Sequence, residues 1–312
     1  MTGSDAQLIT PGSDRIDQLI ALSDAARWNQ NHDDWQWMLE QGRARALLLG
    51  NTLIASTLVL PWPAASASSV TGSVAWISMV LVLPEHRGQG HAGRLLRESL
   101  EWLADPARAH LLPVLDATPA GRPVYLRQGF IDGWTFNRWE RTQRLPTHGS
   151  LPIDPTLEIH ALPQTPEAFQ RDGSLHALDT LAFGADRSSL LNALLQRAPR
   201  SAFVAHRSGS PCGYVLARPG RRATQIGPLL AADQAAAEAL LAAALQSIEG
   251  PVFIDVPQAR SSVESALIAS GFTIQRPFTR MFRPQPGRAK HPHPLPADPP
   301  SSVWAVAGPE LG

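Results

Sequence analysis

One cysteine, one lysine and two tyrosines occur in a chain of 312 residues. The lone Cys212 excludes an intramolecular disulfide and suits a reducing compartment, so a cytoplasmic protein is expected, with Cys212 a small buried apolar residue. Charge of either sign is not in excess: 27 basic residues balance 27 acidic ones. No global field then draws the chain to nucleic acid or to an anionic membrane, and partners must be argued from local sites. The opening MTGSDAQLITPGSD lacks a charged start followed by an apolar run, and no later stretch approaches the ~20 apolar residues that span a bilayer. A soluble protein is expected. Arginine is abundant where lysine is nearly absent; this reflects base composition and carries no functional weight.

The length suits two domains, each with its own core. Five prolines between Arg144 and Pro166 mark the boundary, because each removes a backbone donor and disfavours helix before it. Seven more from Pro284 to Pro300 read as an irregular or polyproline-like arm. The expected division is 1–145, 146–283 and the arm 284–312, whose Val303, Trp304 and Val306 are suited to docking as a strand or to staying a tail. The two large pieces repeat one layout at an offset of roughly 140 residues. VYLRQGFIDGWTFNRWER (Val124 to Arg141) parallels ALIASGFTIQRPFTRMFR (Ala266 to Arg283), and RWNQNHDDWQWMLEQG parallels AFGADRSSLLNALLQRA. Alternation and β-branched content predict strands near Ala44–Gly50, Thr52–Leu60, Ser73–Leu83, His110–Asp116 and Phe136–Arg141. Helical spacing predicts helices near Ile16–Ala26, Asp34–Gln41, Gly93–Leu103 and Arg122–Gln128. The fold class is mixed α/β: a twisted mixed sheet flanked by helices, built twice.

The stretch EHRGQGHAGRLL, Glu85 to Leu96, carries Gly88, Gly90 and Gly93 in the spacing G-x-G-x-x-G. In a dinucleotide fold the first glycine closes the first strand directly. Here Pro84 to Arg87 intervene and a long mixed segment precedes, and both oppose that reading. A glycine turn at a helix N-terminus still points unpaired amides at one place where the macrodipole favours an anion. A diphosphate fits it. Arg87 adds a donor, braces the loop or pairs with Glu85.

Arg87-Gly88-Gln89-Gly90-His91-Ala92 resembles the acyl-CoA pyrophosphate loop R/Q-x-x-G-x-G/A of the GNAT acetyltransferase superfamily, and Tyr125 to Phe130 (YLRQGF) resembles its tyrosine helix and G-F ending. With WNQNHDDW, WISMVLVLPEHRGQG and LDATPAGRPVYLRQGF, the chain is similar to bacterial tandem-GNAT proteins with an acetyltransferase-like second domain. The resemblance implies an N-acetyltransferase using acetyl-CoA as co-substrate and a primary amine of a small molecule or peptide as acceptor, by direct attack. A catalytically weak acyl-CoA sensor or interaction module is the alternative. It implies cofactor contacts from Met79, Val80, Leu81 and Val82 through their amides, from Arg87, Gly88, Gln89, Gly90, His91, Ala92, Gly93 and Arg94, and from Thr118, Gly121 and Tyr125. Tyr125 is the implied proton donor to the leaving thiolate. Trp28, Asn29, Gln30, Asp34, Trp35 and Asp116 are the implied acceptor residues. The general base stays open among Asp116, Asp34, His32 and water. No metal is expected, since His291 and His293 flank a proline without further ligands. In the second half LLAADQAAAEA lacks glycine and Leu267 stands at the tyrosine position, so that half is expected to be degenerate.

Overall fold

The structure, a computed structural model, describes residues 6–65, 72–143, 154–165, 168–170, 173–284 and 298–312. The first half runs β1 (Gln7–Ile9), α1 (Ile16–Ala25), α2 (His32–Gln41), β2 (Arg43–Leu49), β3 (Thr52–Trp62), β4 (Ser73–Val82), α3 (His91–Leu103), β5 (Leu111–Ala117), α4 (Arg122–Leu126) and β6 (Ile131–Arg141). The second repeats it with β7 (Leu157–Ala161), α5 (Ser174–Phe183), α6 (Ser188–Arg197), β8 (Phe203–Arg207), β9 (Ser210–Arg218), β10 (Thr224–Ala231), α7 (Gln234–Ser247), β11 (Val252–Pro257), α8 (Ser261–Ala269) and β12 (Thr273–Phe282). A last strand, β13 (Val303–Ala305), follows.

Local chemistry sets the helix starts. Asn31 caps α2 by accepting from the Asp34 amide at 3.0 Å while the Asp34 carboxylate accepts from the Asn31 amide at 3.0 Å, a reciprocal capping box. In α3 the buried positions Leu95, Leu96, Ser99 and Leu103 fall on one face, which the helix lays on the sheet. Alternate residues of β4 separate the layers. Val74 and Trp76 join the core under α1, α2, α5 and α6, whereas Ala75 and Ile77 join the core under α3 and α4.

All strands share one sheet, ordered β1-β2-β3-β4-β5-β12-β6-β11-β10-β9-β8-β7, with β13 on β10. The centre of that order is an exchange. β6, the last strand of the first half, pairs antiparallel with β11, and β12, the last strand of the second, pairs antiparallel with β5. β6 and β12 pair with each other along their length, so the halves are joined by a pseudo-twofold seam. Phe136 and Phe278, at equivalent places in the repeat, stack at 5.1 Å and 11° on that seam.

Each exchanged strand carries an arginine to the other half. Arg280 on β12 donates Nε and Nη2 to the two carboxylate oxygens of Asp116 on β5, both at 2.9 Å. Arg138 on β6 does the same to Asp255 on β11, at 2.8 and 2.7 Å. These buried, bidentate pairs fix the register across the seam. The boundary expected between 145 and 146 falls outside the described residues, as do residues 285–297 of the proline-rich arm. The apolar end of the arm docks: Val303 to Leu311 are buried.

Candidate active site

β4 and β5 pair in parallel only from Ser73–Trp76 against Leu111–Val114. Beyond Trp76 they diverge, leaving the β5-facing edge of β4 without a strand partner. A bulge sits at the divergence: Met79 has φ +51°, the register against β3 shifts between Ser56 and Leu58, and Ser56 Oγ donates to the Met79 carbonyl at 2.8 Å. The side chains of Met79 and Leu81 are buried in the core, so this strand offers its backbone to a ligand rather than its side chains.

At the end of β4 the chain turns into α3 through Gly88 (φ +76°) and Gly90 (φ +81°). A Cβ at either glycine would meet nothing within 4 Å, so glycine is required for the left-handed backbone and the space above it is open. None of the amides from Gly88 to Gly93 finds an acceptor among the described residues; the Arg94 amide is the first to bond, to the Gly90 carbonyl at 2.9 Å. No side chain caps α3. This is a nest of unpaired donors at a helix N-terminus, beside a gap in the sheet. Arg87 braces it from behind, donating Nε to the Val82 carbonyl at 3.1 Å, and Gln89 reaches the Glu85 carbonyl at 3.4 Å. Arg94 donates Nη1 to the Ala6 carbonyl at 2.9 Å, tying the loop to the first residues. Burial and the neighbouring His86 and Arg94 hold His91 below the usual imidazole range, so the ring is neutral at pH 7.

Thr118, Gly121 and Tyr125 gather at the far side of the gap. The Thr118 carbonyl and hydroxyl accept from the Gly121 amide at 3.0 and 3.2 Å, and a Cβ on Gly121 would lie 3.5 Å from the Tyr125 hydroxyl. Tyr125 packs with Ile77, Leu115 and Phe130, and its hydroxyl makes no hydrogen bond to a described residue. Burial pushes the phenol far above its ordinary pKa, so it stays protonated at any working pH.

Several expected acceptor residues are engaged elsewhere. Asn29 is 1% exposed; its Nδ2 donates to the Ala223 carbonyl at 2.9 Å, and its Oδ1 accepts from the amides of Arg222 and Ala223 at 2.9 and 3.1 Å. It links the halves and is not free for an acceptor. Asp34 accepts from Arg197 at 2.7 Å and Arg218 at 2.8 Å, both from the second half. Trp35 is fully buried and donates to Ser23 Oγ at 3.0 Å, a core role. Gln30 is buried as well, and Trp28 is half-buried. Asp116 is held by Arg280, and burial outweighs that partner in pushing its carboxyl above the usual range. Neither carboxylate is a free base. His32 is exposed at the start of α2.

The second half has the same three places, all filled by its own chain. Asp233 caps α7, its Oδ1 accepting from the Ala236 amide at 3.0 Å, where the first half leaves bare amides. β10 and β11 pair only from Thr224–Ile226 against Val252–Ile254, and β13 enters the gap beyond: Leu229 pairs with Ala305, and the Val306 amide donates to the Asp255 carbonyl at 3.0 Å. Trp304 Nε1 anchors it on the Ala231 carbonyl at 3.0 Å. Leu267 is fully buried at the position equivalent to Tyr125. Cys212 is half-buried, and desolvation raises its thiol above the ordinary pKa.

Sequence reasoning missed Arg280 and Arg138, and it offered Val303 to Val306 as a docking strand without placing it in the gap of the second half. A signal existed for the arginines, since an acid ends LLPVLD and VFID and an arginine recurs in FNRWER and FTRMFR. Among the described residues no cluster of His, Cys, Asp or Glu is arranged for a metal, and no helix is long and apolar enough to cross a membrane.

Residues 16–130 match the model of the Acetyltransferase (GNAT) family, and residues 175–294 match that of an Acetyltransferase (GNAT) domain. The chain is similar to the uncharacterized N-acetyltransferase YitH of Bacillus subtilis (strain 168), at 22% identity over 85% of this chain and 87% of that one. Among solved structures it is similar to a Pyrococcus horikoshii protein assigned provisionally to the acetyltransferases, with a TM-score of 0.72 and 17% identity over 100% and 97% of the two chains. It is also similar to the tandem GNAT protein from the clavulanic acid biosynthesis pathway, with a TM-score of 0.57 and 12% identity over 89% and 98%.

Proposed function

The chain belongs to the GNAT acetyltransferases as a tandem of two such domains, and from this premise we propose that its first half moves the acetyl group of acetyl-CoA to a primary amine of a small molecule or peptide. The observation that carries the reading is the row of unengaged amides from Gly88 to Gly93 beside the gap between β4 and β5. Those donors suit a pyrophosphate, and the absence of any atom within 4 Å of a Cβ at Gly88 or Gly90 leaves room for its close approach. Acetyl-CoA supplies an activated thioester, which an amine attacks directly.

The chain's residues then have three tasks. The amides of residues 88 to 93 and the α3 dipole hold the phosphates. An amide of the β4 bulge, from Met79 to Val82, donates to the thioester carbonyl and stabilises charge developing there, with no reorganisation because the strand is fixed by Ser56. Tyr125, kept neutral by burial, donates a proton to the departing sulfur. The substrate amine loses its proton to water or to the exposed His32, because Asp34 and Asp116 are both committed to arginines. The second half supports the first and binds no acyl-CoA, because Asp233 and β13 stand where phosphates and pantetheine would go.

Release of free thiol from acetyl-CoA in the presence of a panel of amines tests the reading. Tyr125→Phe lowers turnover about 10- to 1000-fold while acetyl-CoA affinity is kept. Saturable acetyl-CoA binding with no transfer to any amine would replace the enzyme by a sensor, and unchanged turnover in the variant would remove Tyr125 from the mechanism.

A further inference from the structure

Between the halves, on the face covered by α1, α2, α5 and α6, lies a cavity of about 380 Å³. Val74, Leu112, Trp134, Phe183 and Val306 give it apolar walls, and Arg187 and Arg280 give it polar ones. It is separate from the acyl site. Val74 and Leu112 lie where β4 and β5 are still paired, at the end remote from their divergence, and the neighbouring gap of the second half is filled by β13.

The two arginines bring no net charge to the cavity. Arg187 donates Nε and Nη2 to Asp179 and Nη1 to the backbone oxygen of Gly312. Arg280 donates Nε and Nη2 to Asp116, and its guanidinium lies 4.4 Å from the Trp134 ring centroid. Its Nη1 has no acceptor among the described residues. The lining is thus apolar, with both cations neutralised and one spare donor. Leu181, 69% exposed, also lines the cavity and puts a large apolar side chain in reach of solvent there. The volume is that of a small-molecule site.

We propose that this cavity binds a neutral, largely apolar small molecule carrying one hydrogen-bond acceptor, its apolar body against Trp134 and its acceptor on Arg280 Nη1. An anion gains little from guanidinium groups already paired with carboxylates, and a cation finds no carboxylate there without an arginine partner. The site is distinct from acyl transfer and stands whether or not the first half turns over an amine.

The probe is acetanilide, a neutral aromatic amide, titrated into the full chain and followed by saturation-transfer NMR. Saturable binding with a Kd on the order of 1 mM is expected, with contacts from the probe ring to the Trp134 indole. Leu181→Asp, on an exposed side chain that does not threaten folding, weakens binding at least 10-fold and leaves acetyl-CoA binding unchanged. Benzoate, the anion of similar size, binds at least 10-fold more weakly than acetanilide. No saturation by about 10 mM probe, equal affinity in Leu181→Asp, or equal affinity for benzoate overturns the proposal.

Discussion

Replacing Arg280 by methionine tests whether the two halves form one folding unit. The wild-type pair is bidentate, with side-chain exposures of 7% for Arg280 and 0% for Asp116, and the guanidinium also lies 4.6 Å and 4.4 Å from the ring centroids of Trp76 and Trp134. Removing one partner leaves a buried carboxylate uncompensated, at a cost of about 3–5 kcal/mol. Loss of the cation–π contacts adds roughly 1 kcal/mol, and the methionine stem returns a similar amount of packing. A net loss of about 3–5 kcal/mol is a large part of the 5–15 kcal/mol typical of a folded protein. The deficit depends on pH in a defined direction. Asp116 already titrates above the usual carboxylate range, and losing Arg280 raises it further. Between the unfolded and folded values the folded variant holds a proton that the unfolded chain does not, so its stability relative to wild type recovers as pH falls from 7 toward 5. Denaturant unfolding followed by circular dichroism and by tryptophan fluorescence measures both effects. Arg280 belongs by sequence to the second half and Asp116 to the first, so a single cooperative transition should move as a whole, and Arg280→Met with Asp116→Leu should restore most of the loss. Two transitions with the first half unmoved, or a loss below about 1 kcal/mol, would refute strand exchange as the bond between the halves.

Gly90→Val forces a β-branched residue into φ +81° without any steric neighbour, so the cost is backbone strain of about 1–2 kcal/mol and a re-aimed amide row. Isothermal titration should show acetyl-CoA affinity reduced at least 10-fold with the fold retained. His91 is held below the usual imidazole range and sits in the amide row proposed to hold phosphates, whose occupation by a polyanion would raise its pKa. Binding then takes up protons, affinity rises as pH falls below neutral, and titration in buffers of different ionisation enthalpy should show the uptake vanish in His91→Ala. Asn29→Ala leaves the Arg222 and Ala223 amides without their partner, while the Ala223 carbonyl keeps the Gly220 amide, a loss of about 2–3 kcal/mol seen in thermal melting. The acceptor KM should stay within about twofold, in contrast with the substrate role the sequence suggests for this residue.

The elements of the first half were legible because each rule acted locally. Helical spacing at Leu95, Leu96 and Leu103 and the strand alternation before Pro84 depend on neighbours a few residues away, and the structure places α3 and β4 at those positions. The glycines of the loop were legible for the same reason: a left-handed turn is a property of the residue itself. Asn29, Asp34 and Asp116 were misjudged because a polar side chain near a cleft reads identically whether it faces a substrate or a partner over a hundred residues distant. Their partners, Arg218, Arg280 and the 222–223 amides, come from the other half. In a duplicated chain the repeat reveals that two equivalent strands exist, and it cannot reveal which half each completes, since both pairings satisfy the same pattern of acid and arginine.

The exchange also accounts for why the two halves diverged unequally. Once β12 completes the first half and β6 the second, the second half is held in place by the seam whether or not its own gap takes a ligand. Its gap is then free to be closed by whatever the chain offers, and β13 does so with an indole hydrogen bond and two backbone pairings that need no glycine loop. Gly227 marks how tight that closure is, since a Cβ there would come 2.0 Å from the Val306 oxygen. Restoring an acyl site to the second half therefore requires more than glycines in the loop after β10: β13 must leave and Asp233 must stop capping α7. Grafting the Gly88–Gly93 sequence onto that loop should leave acetyl-CoA binding at one equivalent per chain, and a second equivalent in the graft would show that β13 yields its place.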